Sequence, residues 1–328
     1  MEYIKYEEEF ILNLRGNYIF TCRWFSETRE PKALVFLCHG YAMECSISMR
    51  GTAMRLASAG YFVHGIDYEG HGKSSGLQGY IASFDELVND CSDHFTSICE
   101  KQENKGRLRF LLGESMGGTI SLLLDRQKPN YWNGAILVAP MCKIAEELKP
   151  HPVLIKILTK LSTILPTLKI CRMQDLIESG IRNPEWRQKV RHNPFCYKGK
   201  THLKTGTELL MASLDIEKNL DKVSLPFIIV HGGKDTITDP SVSKLLYETA
   251  VSKDKTFKFY PGMWHALTYG ETPENIDLVF SDIFEWINER VASSRRRSER
   301  GHKFSNDPRE IIAFHGKKAS MQEISYRL

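Results

Sequence analysis

The feature that most constrains this chain is the stretch Gly113-Glu114-Ser115-Met116-Gly117, together with the two segments that flank it. Residues 108–112 are apolar and β-prone and predict a buried strand, whereas residues 116–125 are rich in helix formers and predict a helix. A G-x-S-x-G stretch between a strand and a helix is typical of a sharp turn that presents a nucleophilic serine. Its glycines permit a strained backbone at Ser115 and close packing on both sides. The alternative is an ordinary glycine-rich turn in which Ser115 only caps the helix.

Length and composition limit the class of protein. The 328 residues, of which 42% are hydrophobic, suffice for one large α/β domain or for two domains. No apolar run reaches the length of a membrane span, and residues 1–10 are acidic, unlike a secretory signal. Eight scattered cysteines without a C-x-x-C pair favour reduced thiols over disulfides or a zinc site. We therefore expect a cytoplasmic protein without a metal.

The net charge of +4 is distributed unevenly. Residues 293–328 hold nine basic and four acidic residues, and residues 141–225 hold fifteen basic and nine acidic ones. Such basic segments suit an anionic membrane surface or an acidic substrate, although ordinary solvated surface charge explains them at least as well. No aromatic-rich basic motif accompanies them, so we do not expect nucleic acid as a partner.

Strand-like and helix-like segments alternate along most of the chain. Strands are predicted at 7–14, 18–25, 33–38, 61–66, 108–112, 135–138, 226–230 and 256–260, and helices at 50–58, 84–101, 116–125, 240–250 and 273–291. The first two strands flank Arg15-Gly16-Asn17 and predict a hairpin at a sheet edge. This alternation predicts an α/β fold with a mostly parallel eight-stranded sheet and helices on both faces.

Residues 141–225 interrupt the alternation, because they are helix-prone and contain no clear strand. Five apolar residues fall on one face of a helix in this segment: Leu154, Ile157, Leu158, Leu161 and Leu165. Such a stripe packs on neighbouring helices, or it belongs to a lid that lines a lipophilic tunnel or touches lipid, and both can hold. We predict a helical cap at 141–225 inserted into a core of 1–140 and 226–292, followed by a basic, disordered tail at 293–328.

Three residues that follow predicted strands form a candidate catalytic set. Parallel strands bring the loops at their carboxyl ends together, so Ser115, Asp235 and His265 are expected to meet at one edge of the sheet. Their order along the chain suits a serine nucleophile, an aspartate that orients the base, and a histidine base. Asp239 is a rival acid, but it directly precedes Pro240 and has the character of a helix N-cap.

An oxyanion intermediate requires two backbone N–H groups that converge on its charge. We expect one from Met116, directly after the serine, and the other from Tyr41 in the turn His39-Gly40-Tyr41-Ala42. The other histidines fit the role of base less well than His265. His39 and His71 precede the serine in the chain, and His231 adjoins the acid loop.

Taken together, these motifs resemble the monoacylglycerol lipase branch of the α/β-hydrolases, above all its plant members grouped with caffeoylshikimate esterases. The similarity covers about residues 5–291. The motifs that carry it are His39-Gly40, Gly70-His71-Gly72-Lys73-Ser74, Gly113 to Gly118, Gly232 to Asp235 and His265-Ala266-Leu267.

The resemblance implies an α/β-hydrolase fold with a mobile cap after the sixth strand. It assigns triad roles to Ser115, Asp235 and His265, and oxyanion roles to Tyr41 and Met116. It also implies hydrolysis of monoacylglycerols, lysophospholipids or phenolic esters through an acyl-enzyme, without a cofactor. The expected partner is a lipophilic small-molecule ester, with peripheral membrane contact through the cap.

One residue departs from the family pattern, and two other functions remain open. Many relatives have a second glycine in H-G-x-G, where this chain has Ala42, and alanine tolerates fewer backbone conformations. An acyltransferase would use the same acyl-enzyme but admit an alcohol instead of water. A receptor-like α/β-hydrolase would bind a small molecule without turnover, although a pure binder needs none of Ser115, Asp235 and His265.

Overall fold

An eight-stranded sheet forms the centre of the structure, and its strands follow the predicted apolar runs. They are β1 (Ile4–Leu12), β2 (Tyr18–Ser26), β3 (Leu34–Cys38), β4 (Phe62–Ile66), β5 (Arg109–Glu114), β6 (Gly134–Val138), β7 (Phe227–Gly232) and β8 (Lys255–Tyr260). Their spatial order is β1-β2-β4-β3-β5-β6-β7-β8. β2 pairs antiparallel with both β1 and β4, and every other neighbouring pair is parallel. The prediction of a mostly parallel sheet with an edge hairpin is confirmed.

This computed structural model describes residues 3–142, 151–170 and 176–305, with side chains as far as Arg297. Helices in these residues are α1 (Arg50–Ser58), α2 (Phe84–Glu100), α3 (Met116–Gln127), α4 (Pro152–Ile164), α5 (Leu176–Gly180), α6 (Pro184–His192), α7 (Leu203–Glu217), α8 (Pro240–Thr249) and α9 (Pro273–Ser305). None of these helices combines the length and the hydropathy that crossing a bilayer requires.

Both faces of the central sheet are covered. Every residue of β3, β6 and β7 is buried, which a strand achieves only when other elements pack on its two faces. The ring of Phe36 in β3, for example, lies 4.7 Å from the ring of Phe95 in α2. This packing holds the carboxyl ends of the parallel strands in fixed positions along one edge, where the candidate site residues follow.

Side-chain caps fix the starts of two helices as the sequence predicts. The Ser83 hydroxyl accepts a hydrogen bond from the Glu86 N–H at 3.3 Å at the start of α2. The Asp239 carboxylate accepts from the Ser241 N–H at 2.8 Å, and Pro240 is the first residue of α8. Asp239 is therefore engaged as an N-cap, which supports the choice of Asp235 as the acid of the site.

In the residues that the structure describes, helices are the main regular elements of the segment predicted as a cap. It contains α4 to α7 and a 3-10 turn at Leu220–Lys222, and its described residues form no strand beyond an isolated bridge between Lys169 and His202. Residues 143–150 and 171–175 lie outside the described residues. The sheet and the described helices of this segment belong to the same compact unit, residues 1–283. That the segment acts as a cap stays a prediction.

Residues 284–328 form a second unit, in which α9 continues from Phe284 to Ser305. The structure thus continues α9 through residues 293–305, where the sequence predicts a disordered tail. Residues 274–300 contain no proline or glycine, and arginine is a good helix former. The polar composition of this segment is therefore compatible with a continuous helix. The rest of the predicted tail, residues 306–328, lies outside the described residues.

A buried aromatic cluster supports the loops after β3 and β4. The ring of His39 stacks on that of Tyr68 at 3.9 Å, and the ring of His71 lies 5.6 Å from that of His39. The Tyr68 hydroxyl donates to the His39 carbonyl at 3.0 Å. His71 Nδ1 lies 3.3 Å from the Glu69 carbonyl, which can only accept, so this nitrogen carries the proton. His71 Nε2 is buried and has no partner among the described residues, so a second proton there would be unpaired.

Acid is expected to weaken the fold through His71. Burial lowers the pKa of His71 from 6.5 to about 4, against the smaller opposing effect of the hydrogen bond to the Glu69 carbonyl. The unfolded chain takes up this proton near pH 6.5, and the folded chain takes it up only near pH 4. The contribution of His71 to the free energy of unfolding should therefore be fully present above pH 6.5 and fall by up to about 3 kcal/mol as the pH drops towards 4.

Urea unfolding across this pH range measures the effect, with His71→Asn as the matched control. The asparagine amide can replace the Nδ1 donor but does not titrate, so its stability should decline less than that of the wild type. Equal declines in the two proteins would contradict the assignment.

Candidate active site

Ser115 stands on a strained turn between β5 and α3, as predicted. Its backbone has φ 54° and ψ −117°, in the positive-φ region that residues with a side chain seldom occupy. The Ser115 N–H donates to the Val138 carbonyl at 2.9 Å, and its own carbonyl accepts from the Met141 N–H at 3.0 Å. Holding a non-glycine residue in this conformation costs on the order of 1–3 kcal/mol, and such strain is concentrated at functional sites.

The glycines around Ser115 are required by close packing. A Cβ atom at Gly113 would overlap the carbonyl of Gly117, and one at Gly117 would overlap the carbonyl of Cys38 on β3. At Gly118, a Cβ would lie 2.5 Å from the side chain of Pro140. Helix α3 can therefore lie against β3 and the end of β6 only because these positions lack side chains.

His265 and Asp235 form a close pair behind the serine turn. Asp235 follows β7 and His265 follows β8, and His265 Nδ1 lies 2.7 Å from Asp235 Oδ2. Burial by itself raises the pKa of Asp235, but the nearby His265 charge and hydrogen bonds from His231 and His265 hold that pKa well below its usual range. The carboxylate is therefore ionised and can only accept, which places a proton on His265 Nδ1 and leaves Nε2 as the basic nitrogen.

Two residues that the sequence reasoning did not assign to the site hold the Asp235 carboxylate in place. His231 Nε2 lies 3.1 Å from Asp235 Oδ2 and 3.1 Å from the Thr238 carbonyl. Both oxygens only accept, so Nε2 carries a proton, and Nδ1 pairs with the Ser243 hydroxyl at 2.7 Å. The Thr238 hydroxyl donates to Asp235 Oδ2 at 2.8 Å. The sequence signals that point to these roles are the positions of His231, four residues before Asp235, and of Thr238, three residues after it.

One cavity of about 350 Å³ joins the candidate residues. Ser115, His265 and Tyr41 line it, whereas Asp235 is buried behind His265. No hydrogen bond joins Ser115 to His265 in the part of the chain that the structure describes. The branched aliphatic side chains among the residues that line the cavity are Val138, Leu176, Ile177, Ile181, Val190, Ile237 and Leu267.

The two predicted oxyanion donors are available. Neither the Tyr41 N–H nor the Met116 N–H donates to any residue that the structure describes. Met116 is the first residue of α3, where backbone N–H groups have no partner within the helix. The Tyr41 hydroxyl points away from this role, since it donates to the Gly79 carbonyl at 3.0 Å.

A buried carboxylate fixes the loop that carries Tyr41. Glu44 is fully buried and accepts from the Ser48 N–H at 2.7 Å and from the Ile47 N–H at 3.0 Å. It also accepts from the Asn193 side chain at 2.9 Å, and the Ala42 carbonyl accepts from the Tyr197 N–H at 2.9 Å. The loop is thus tied to the helical segment above the cavity.

Ala42, the departure from H-G-x-G, stands in the left-handed region with φ 65°. This conformation costs an alanine about 1 kcal/mol and costs glycine almost nothing, whereas glycine loses more entropy on folding. We expect Ala42→Gly to raise the free energy of unfolding by about 0.5 kcal/mol. Urea unfolding measures this change. The matched control is Ala53→Gly inside α1, which should lower stability by about 1 kcal/mol, and a similar loss in Ala42→Gly would contradict the strain.

Comparison with known proteins gives a consistent assignment. The family model Hydrolase_4, described as serine aminopeptidase, S33, matches residues 29–273. Caffeoylshikimate esterase from Arabidopsis thaliana is 34% identical over 274 residues, covering 83% of this chain and 82% of that protein. Monoglyceride lipase from Homo sapiens is 32% identical over 286 residues, covering 87% and 91%.

A solved structure agrees in fold. A soluble variant of monoglyceride lipase from Saccharomyces cerevisiae, in complex with a substrate analog, superimposes with a TM-score of 0.76. The match covers 86% of this chain and 94% of that one at 23% identity. Because the family model spans most of the chain and both sequence relatives exceed 30% identity, the chain belongs to the Hydrolase_4 family of α/β-hydrolases.

Proposed function

We propose that Ser115, His265 and Asp235 cleave carboxylic esters through an acyl-enzyme. The observation that carries this proposal is that Ser115, on its strained turn, opens onto the same cavity as His265, whose Nδ1 is held 2.7 Å from Asp235. The relatives support the reaction class, since they are named as an esterase and as monoglyceride lipases. The protein is accordingly a carboxylic ester hydrolase.

The reaction proceeds in two halves. His265 Nε2 takes the proton of the Ser115 hydroxyl as its oxygen attacks the ester carbonyl, and the Tyr41 and Met116 N–H groups stabilise the oxyanion. His265 then gives this proton to the leaving alcohol as its carbon–oxygen bond breaks, which leaves an acyl group on Ser115. A water molecule, deprotonated by His265, then attacks the acyl carbon. The bond from this carbon to the Ser115 oxygen breaks, His265 returns the proton to that oxygen, and the acid is released. Asp235 stabilises the imidazolium in both halves.

The cavity suits an ester with a lipophilic acyl part. Its apolar lining comes from both the sheet loops and the helical segment, for example Val138 and Ile237 from the former, and Ile181 and Val190 from the latter. Burial of an acyl chain against such side chains contributes about 0.8 kcal/mol per methylene. We infer substrates of the monoacylglycerol, lysophospholipid or phenolic ester type.

The catalytic assignment is tested by labelling with a fluorophosphonate and by hydrolysis of an ester panel. The panel contains monoacylglycerols, lysophosphatidylcholine, p-nitrophenyl esters and caffeoylshikimate. Wild type should label at Ser115 and prefer one ester class, and Ser115→Ala should do neither. Asp235→Asn should lower kcat by about ten-thousand-fold, because the imidazole loses its orienting carboxylate.

Asp239→Asn is the matched control, because asparagine caps a helix as well as aspartate does. It should retain kcat within about threefold. A wild type that neither labels nor hydrolyses any ester would overturn the proposal and favour a receptor-like binder. Equal losses in Asp235→Asn and Asp239→Asn would overturn the choice of acid.

We further propose that the protein works in the cytoplasm and contacts membranes peripherally through α4. All described cysteines are free and buried, which suits a reducing compartment. The residues of the predicted apolar stripe on α4 differ in their exposure. Leu158 and Leu161 are half-buried, whereas the other three residues of the stripe are exposed. Large exposed side chains on and just after α4 are Val153, Leu154, Ile157, Ile164, Leu165 and Leu168.

An apolar face with exposed lysines beside it can enter the headgroup region of an anionic bilayer. Lys156 and Lys160 of α4 are exposed next to this face. We expect the protein to float with anionic vesicles at low salt, and the double variant Ile157→Glu, Ile164→Glu to remain in the pellet fraction. Val251→Glu, at an exposed apolar residue after α8, is the control and should float as the wild type does. Absence of wild-type binding would contradict the membrane contact.

A further inference from the structure

Glu114 is a buried acid at the catalytic cavity to which the mechanism above gives no role. It is the last residue of β5, directly before Ser115, and only 9% of its surface is exposed, although it lines the cavity. The Thr268 hydroxyl donates to Glu114 Oε1. No lysine or arginine among the described residues forms an ion pair with it. A buried carboxyl group without a cation is costly unless its remaining atoms find partners.

The second carboxyl oxygen of Glu114 is the atom that remains unused. No group among the residues that the structure describes donates to Oε2, and yet this oxygen is not fully enclosed by protein. Since Oε1 is engaged with Thr268 and Glu114 is among the residues that line the cavity, Oε2 is the carboxyl oxygen left for a cavity ligand. A polar atom in this setting fixes the orientation of a ligand in an otherwise apolar pocket.

The position of Glu114 indicates which part of an ester it would meet. Its partner Thr268 comes three residues after His265, on the same loop, and the charge of His265 affects the pKa of Glu114. In the proposed reaction His265 protonates the leaving oxygen, so the alcohol part of the ester must lie on the His265 side of Ser115. The oxyanion donors Tyr41 and Met116 lie on other elements. Glu114 therefore faces the alcohol part.

The charge state of Glu114 limits the chemistry it can offer. Burial raises the pKa of Glu114, although the Thr268 hydrogen bond and the charge of His265 oppose this. A raised pKa favours the neutral form, which repels the oxyanion at the neighbouring residue less than a carboxylate does. Either form accepts a hydrogen bond from an alcohol hydroxyl, and the neutral form can also donate one to it.

We propose that Glu114 binds a free hydroxyl group on the alcohol part of the substrate, a proposal that rests on the esterase reaction proposed above. Glu114 is then a specificity-determining residue that favours esters of polyols, such as glycerol, over esters of simple alcohols. This hydrogen bond is made to the leaving alcohol. Glu114 therefore affects acylation, and it has no substrate partner after the alcohol has left.

Two esters of the same fatty acid isolate this contact. Glyceryl octanoate and propyl octanoate give the same octanoyl-enzyme, so acyl binding and deacylation cancel in the ratio of their kcat/KM values. In Glu114→Leu this ratio should fall about tenfold, the effect of one lost hydrogen bond to a buried polar group. In Glu114→Gln, which keeps an acceptor for Thr268 and a donor for the substrate, the ratio should stay within about threefold of wild type.

Met43→Leu is the matched control, because it changes an apolar residue that lines the same cavity and should leave the ratio unchanged. Fluorophosphonate labelling of Ser115 in each variant reports an intact triad, since this probe carries no polyol. If Glu114→Leu does not label, Glu114→Ala is measured in the same way and the same ratio decides.

The proposal would be overturned if the ratio in Glu114→Leu stayed at the wild-type value. It would also be overturned if the ratio fell equally in Glu114→Gln and Met43→Leu. Equal losses for both esters would show that Glu114 only supports the Thr268 loop, and would also overturn it. A wild type that neither labels nor hydrolyses either ester is a different outcome, because it refutes the esterase reaction itself.

Discussion

The strained backbone of Ser115 is the constraint on which the rest of the site depends. A residue with a side chain keeps a backbone φ of 54° only if the surrounding structure holds it there. Here β5, α3 and the end of β6 do so. Their approach is possible because Gly113, Gly117 and Gly118 leave no Cβ in the way. The same approach puts the start of α3, with the Met116 N–H, directly after the serine. The proposed nucleophile and one proposed oxyanion donor are therefore positioned by the same packing.

Buried acids hold the loops around this turn, each in a different way. Asp235 is kept ionised by His265 and His231, so that it can orient the base. Glu44 accepts several backbone and side-chain hydrogen bonds and thereby fixes the loop of Tyr41. Within the described part of the chain, Glu114 has one hydroxyl partner and one oxygen without a partner, which is why we propose a ligand role for it and not for the other two. Burial alone does not distinguish these functions; the number and kind of partners does.

Much of the fold was predictable because it depends on local patterns. Apolar runs, N-caps such as Ser83 and Asp239, and helix stops are read from neighbouring residues, and the strands and helices of the sheet region agree with these signals. The end of α9 was not predictable from composition, since a polar, arginine-rich segment is compatible with both helix and disorder. The α4 stripe was predicted as one face, but neighbouring α7 covers only part of it.

The sequence by itself determined the serine turn, the order of the strands along the chain and the identity of the triad candidates, because each depends on motifs within a few residues. Only the tertiary structure decided that His231 and Thr238 hold Asp235, and that Thr268 engages one oxygen of Glu114. These contacts join side chains from different strands and loops, and Thr268 lies 154 residues from Glu114. No local pattern records a partner at that separation, because the sheet brings the two residues together only after its strands are packed.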